Sequence, residues 1–193
     1  MNTSIMAAHR DGSGTAAGNG MRGLLEGLHR GVKVRDARPE EFAAIGDLRV
    51  AAYRADGFLS TTSTYAPVLR ALGTDGTGEI LAAVDGGRVL GTVMLLPWPG
   101  GGNILRGPGE AEIRALAVDK DARGRGIGRT LVAAVTQRAA ARDVRLLLLL
   151  TAPGMRAAQH LYAEAGFCRL PDRDWQPGSG PKLLAYSKIL GAG

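Results

Sequence analysis

The sequence predicts an α/β fold with a central mixed sheet flanked by helices. Two observations carry the prediction. Residues 79–96, EILAAVDGGRVLGTVMLL, form two apolar runs around Gly86 and Gly87, and paired glycines supply the positive φ angles of a tight hairpin turn. Residues 111–151 read as strand, amphipathic helix, strand, a unit whose parallel strands close by a right-handed crossover. An antiparallel hairpin beside a parallel crossover makes the sheet mixed.

The elements follow in chain order. Residues 1–30 are rich in Gly, Ser, Ala and Asn and hold no sustained period, so they are expected to be a disordered tail, with Met21 as an alternative start. One domain is then expected over 31–193. Order begins at VKVRDA (32–37), whose alternation reads as a strand. A helix follows from Pro39, since Pro suits a first turn and Glu40 and Glu41 suit the positive end of a helix dipole. Phe42, Ile45 and Leu48 then recur at helical spacing. STYAPVLRALG (63–73) is a short second helix stopped by Gly73. The hairpin comes next, then a Gly/Pro loop over 97–110 and a strand over 111–118. A helix runs to about Arg142 with Leu131, Val132, Val135 and Ala139 as its apolar stripe. RLLLLLT (145–151) is continuously apolar, as a strand buried on both faces must be. The segment 153–167 reads as a helix closing at Gly166, and KLLAYSKIL (182–190) as the last strand.

Composition narrows the function. The chain has 193 residues, enough for one domain with a core, and its 45% hydrophobic share is that of an ordinary globular protein. Its single cysteine, Cys168, can form no internal disulfide or metal cluster and is expected to be a buried structural residue of a cytoplasmic protein. The first residues lack the apolar core of a signal peptide, and no stretch approaches the ~20 apolar residues of a membrane-spanning helix. Net charge is +6, but the arginines are scattered from Arg10 to Arg173 without a cationic run or interleaved aromatics, so neither nucleic acid nor membrane is expected as a partner. His9, His29 and His160 have no metal-ligand spacing, and no metal is expected.

The chemistry concentrates in VDKDARGRGIGRT (118–130), where glycines alternate with arginines between a strand and a helix. Such a loop binds anions, because first-turn N–H groups lack helical partners and lie at the positive end of the helix dipole. A Walker A loop is excluded: Arg123 stands where its first Gly belongs, and Arg129 replaces its Lys. A dinucleotide fingerprint is excluded too, with Arg129 or Leu131 at the last Gly position. Arg123, Gly126 and Gly128 do fit [QR]-x-x-G-x-[GA]. Downstream, AAQHLYAEAGF (157–167) carries Ala158, Leu161, Tyr162, Gly166 and Phe167 in the pattern A-x-x-L-Y-x-x-x-G-F. The two patterns resemble motifs A and B of the GNAT family, the GCN5-related N-acetyltransferases, and the element order from residue 32 to 190 is similar to a GNAT domain. Met155 departs from the Asn that often opens motif B.

The resemblance implies a GNAT fold and transfer of an acetyl group from acetyl-coenzyme A to a primary amine, by direct attack in a ternary complex. It implies that backbone amides of Arg123, Gly124, Arg125, Gly126, Ile127, Gly128, Arg129 and Thr130 hold the coenzyme pyrophosphate, with Arg125 and Arg129 adding charge. The pantetheine arm would pair with the main chain of Leu116, Ala117 and Val118, as an added strand does. A backbone amide of the same strand would steady the oxyanion. Glu112 is the candidate base for the acceptor amine; the other reading is a pairing with Arg114. Tyr162 is the candidate acid for the departing thiolate; the other reading is an aromatic packed on the sheet. The acceptor cleft is assigned to the loop near 53–66 and the late loop 171–180, with Trp98 and Trp175 as candidate lining residues or loop anchors. Small amine, peptide N-terminus and protein lysine stay open as acceptors, and the protein is expected to be a monomer or homodimer. Two rivals remain: an acyl-coenzyme A sensor without turnover, and an N-acyltransferase that uses another acyl group.

Overall fold

The computed structural model of the protein describes residues 31–100, 102–178 and 180–191; the tail expected over 1–30 lies outside them. Seven strands are β1 (Lys33–Asp36), β2 (Glu79–Asp85), β3 (Arg88–Pro97), β4 (Glu110–Val118), β5 (Leu146–Thr151), β6 (Cys168–Arg169) and β7 (Leu184–Ile189). Four helices are α1 (Phe42–Ala55), α2 (Tyr65–Ala71), α3 (Ile127–Ala140) and α4 (Arg156–Glu164). The sheet order is β1-β2-β3-β4-β5-β7-β6, and β4–β5 is the parallel pair in an otherwise antiparallel sheet. The mixed sheet is thus present, with the hairpin turn at Gly86 and Gly87 and the crossover through α3.

Each face of the sheet is covered. On one side α3 and α4 pack against inward residues of the central strands, and all four residues of the predicted α3 stripe are buried in that cluster. On the other side Ile45 of α1 meets Ile80, Ala82 and Val84 of β2. Val50, Leu59, Ala66 and Leu69 close over Ala115. A Cβ at Gly46 would stand 2.8 Å from the Arg70 carbonyl oxygen, so α1 and α2 meet backbone to backbone there. The Gly/Pro loop after β3 covers the rest of this face, seating Ile104 and Leu105 on Leu148.

Two expectations need correction, and Trp175 takes one of the two places left open for it. The turn at Pro39–Glu41 is 3₁₀, and the α-helix begins at Phe42; the Arg38 N–H donates to the Glu41 carboxylate at 2.8 Å and closes this entry turn. Cys168 is exposed: it lies on the two-residue edge strand β6, which pairs with β7 alone and leaves the side chain uncovered. Trp175 is a loop anchor, packed against the Ile104–Leu105–Leu148 cluster and bridged through its backbone to Leu183. No helix of the described residues is long and apolar enough to cross a membrane.

Candidate active site

Two irregularities in β4 open the sheet. The β3–β4 register shifts between Thr92 and Met94, and Ala115 takes φ +51°, so β4 carries an extra residue there. β4 pairs with β5 only from Glu110 to Ile113. Beyond Ile113 the strands part, and their facing edges keep main-chain groups that a continuous ladder would consume. The gap widens into a cleft of about 770 Å³. Leu116, Ala117 and Val118 line one side and Leu150 and Thr151 the other, with Tyr162 of α4 on the wall.

The anion loop closes one end of this cleft. Gly124 and Gly126 take φ +76° and +72°, a region in which a Cβ is strained, and Gly126 is the N-cap of α3. From Gly124 to Arg129 no backbone N–H has a main-chain acceptor among the described residues; Thr130 is the first, bonding Gly126 O at 3.1 Å. These amides at the positive end of a 14-residue helix form a donor set suited to a diphosphate. Gly128 lets α4 approach, since a Cβ there would meet Leu161 Cδ2 at 3.2 Å. Arg123, Gly124, Gly126, Ile127, Gly128 and Arg129 line the cleft; Arg125 and Thr130 stand off it. Each loop arginine is held by a carboxylate from another element: Arg123 by Asp56 at 2.6 Å, Arg125 by Asp85 at 2.8 Å and Arg129 by Glu164 at 2.7 Å.

Glu112 is 3% exposed and lies beneath the Gly/Pro loop, off the cleft wall. Its Oε2 has no hydrogen-bond partner among the described residues, and Oε1 is 3.8 Å from Arg114 Nε. Burial pushes its carboxyl up to about 7, against the opposing pull of Arg114. Tyr162 is 6% exposed and packs edge-on to Phe167 with ring centres 5.9 Å apart. Burial, then the nearby Tyr53, pushes its phenol well above the usual tyrosine range, so it is a neutral donor at physiological pH. Met155, where motif B often has Asn, is the N-cap of α4 and lines the cleft without a side-chain cap bond.

The cleft also gathers residues that carried no motif. Tyr53 and Asp56, at the C-terminal end of α1, form part of its wall, as does Phe58 just beyond. A Cβ on Gly154 would be 3.3 Å from Phe58 Cε1, so the segment after α1 reaches across to the loop after β5. Thr151 is 2% exposed with an unpartnered Oγ1. Tyr53 had one visible signal: it lies eight residues after Ile45, on the same face of a helix. Trp98 is 43% exposed, and neither Trp98 nor Trp175 lines the cleft.

Comparisons with known proteins give the family and the fold. Residues 37–167 match the sequence model of the acetyltransferase (GNAT) family. A mycothiol acetyltransferase of Cellulomonas flavigena is 38% identical over 97 residues; the match covers 49% of this chain and 28% of that protein's length. Among solved structures, a GNAT-family acetyltransferase of Staphylococcus aureus Mu50 superposes with a TM-score of 0.66 at 18% identity, covering 83% of this chain and 99% of the other. A phosphinothricin acetyltransferase of Sinorhizobium meliloti, solved in complex with AcCoA, superposes with a TM-score of 0.62 at 18% identity, covering 85% and 91%.

Proposed function

The chain belongs to the acetyltransferase (GNAT) family, and from that premise we propose that it transfers the acetyl group of acetyl-CoA to the primary amine of an acceptor bound in the same cleft. The observation that carries the reading is the parting of β4 from β5 directly above the unpaired amides of the α3 N-terminus. Acetyl-CoA fits the residues present. Its diphosphate matches the amides of 124–129, and its extended arm matches the free main-chain edge of Leu116–Val118. When bound, it supplies the activated acyl group.

The chain's own residues then divide the work. An alkylammonium acceptor has a pKa of about 10 and must lose a proton before its nitrogen can attack. Glu112, off the cleft wall, takes that proton through intervening water; a carboxyl near 7 is both ionised enough and basic enough for the task. A β4 amide freed at the bulge donates to the carbonyl oxygen as negative charge builds there. Tyr162 gives its phenolic proton to the departing sulfur.

The test is calorimetric titration of the protein with acetyl-CoA, with a Gly126→Glu variant alongside and thiol release over a panel of amines. Binding that the variant loses, together with turnover on at least one amine, is expected. A folded wild type that fails to bind acetyl-CoA overturns the reading. Binding without turnover on any amine replaces it with a sensor of acyl-coenzyme A.

A further inference from the structure

Tyr53 is a cleft-wall residue that the proposed chemistry leaves unused. It lies near the end of α1, three residues before Asp56, and both line the cleft. Asp56 marks the diphosphate end, because it holds Arg123 of the anion loop. Three residues back along a helix is about 4.5 Å. Tyr53 therefore stands further in, packed against the cluster that closes over Ala115. Ala115 is the bulge residue of β4, where the chain frees the amide proposed for the acyl oxygen.

Tyr53 and Tyr162 reach the opening in the sheet from opposite faces. Tyr162 belongs to the α3–α4 side and Tyr53 to the α1–α2 side, yet both line the one cleft. After burial, Tyr53 is the neighbour that raises the Tyr162 phenol, so the two hydroxyls act on one another across the opening. The Tyr53 phenol is itself pushed up to about 12, first by burial and then by Tyr65, against Arg49 and Arg114. It is neutral at physiological pH and offers one proton and two lone pairs. No hydrogen bond holds this hydroxyl among the described residues, and unlike Thr151 Oγ1 it keeps surface that a ligand can reach. Glu112 lies on the same face of the sheet, with Arg114 as a neighbour of both. The core cluster fills the space behind Tyr162, whereas exposed Phe58 leaves the α1 side of the cleft open to solvent. An amine entering there meets Tyr53 on the face of its base and opposite the leaving sulfur.

We propose that the Tyr53 hydroxyl receives the acceptor: its oxygen accepts a hydrogen bond from the amine N–H and turns the nitrogen lone pair toward the acyl carbon, while Tyr162 serves the sulfur from the other face. Tyr53 binds and orients the amine, and Glu112 remains the base. The proposal rests on the N-acetyltransferase reading. Wild type, Tyr53→Phe and Tyr53→Leu are compared by thiol release over the amine panel, led by benzylamine, spermidine and lysine. Acetyl-CoA is titrated calorimetrically into each, and thermal melts check folding. Tyr53→Phe keeps the ring and removes one oxygen. Its kcat/KM for the amine should fall about tenfold, the scale of one lost hydrogen bond, with most of the fall in KM. Acetyl-CoA affinity, melting temperature and the pH limb set by Glu112 should stay at their wild-type values. A packing role alone would spare Tyr53→Phe and show only in Tyr53→Leu, which loses the ring as well. Wild-type amine KM in Tyr53→Phe, or acetyl-CoA binding weakened as much as amine binding, overturns the assignment. A wild type that fails to bind acetyl-CoA, or binds it and turns over no amine, overturns the transferase reading and this assignment with it.

Discussion

Arg123 donates to both carboxylate oxygens of Asp56, at 2.6 and 3.1 Å, and so ties the anion loop to the C-terminal end of α1 across the cleft. Both side chains are about two-fifths exposed, with 41% and 40% accessible, which makes the tie a weak one, worth about 0–1 kcal/mol. Its larger effect is electrostatic. Asp56 places a negative charge beside a site proposed to hold a polyanion. Asp56→Ala should therefore tighten acetyl-CoA about two- to fivefold at low ionic strength and shift the melting free energy by less than about 1 kcal/mol. The gain should vanish at about 0.5 M salt, where screening is short-ranged. Weaker binding in the variant would mean that the tie holds the loop in shape.

Glu112→Gln separates activity from stability. Glu112 acts as a base only when ionised, so wild-type kcat/KM should rise with pH and level off above about 7. The variant should lose that limb and about 10²–10⁴-fold in rate. Stability should move the other way. The folded-state value is raised from 4.5 to about 7, so the folded protein holds this proton more tightly than the unfolded chain. The stabilisation is full below pH 4.5 and is lost as pH rises to about 7. That loss is on the order of 3 kcal/mol. Glu112→Gln removes this dependence, and above pH 7 it should melt higher than wild type. Denaturant melts from pH 4 to 9 beside the rate profile measure both effects.

Local chemistry made much of this molecule readable. The hairpin turn, the α3 stripe and the strand–glycine loop–helix junction are each encoded within a few residues, by paired glycines, a period of 3.6 or a missing side chain. What was not readable depends on distant segments. Nothing in IRALAV marks Ala115 as the residue at φ +51°, because the bulge arises from pairing with β3. Arg49 has the look of a surface residue in its helix, and only the arrival of α2 buries it. The seal over Glu112 comes from a loop ten residues earlier in the chain. Cys168 was expected inside because it follows Phe167 in an expected strand, but the sheet ends there.

Tyr162→Phe isolates one oxygen atom. The ring packs on Phe167 and would keep its contacts, so melting should change by less than about 1 kcal/mol. If the phenol is the proton donor to the leaving sulfur, kcat should fall about 10²-fold with acetyl-CoA affinity unchanged. An unchanged kcat would leave Tyr162 as a packing residue of the core cluster to which it belongs.

Gly102→Ala tests how Glu112 is held near 7. A Cβ at position 102 would stand 2.5 Å from Glu112 Oε2 and 2.9 Å from Leu105 Cγ, closer than packed atoms allow. The backbone of the Gly/Pro loop thus lies directly on the carboxylate, and that contact excludes the water that would favour its charged form. The variant must push the carboxylate aside or lift the loop. Overpacking of this kind costs about 1–3 kcal/mol. Lifting the loop hydrates Glu112 and lowers its pKa, so the rising limb of kcat/KM should move below pH 7 while the plateau rate falls, because a weaker base accepts the amine proton less readily. Moving the carboxylate instead would lower the plateau and leave the limb in place. A variant with wild-type rate and limb would show that the loop covers Glu112 without tuning it.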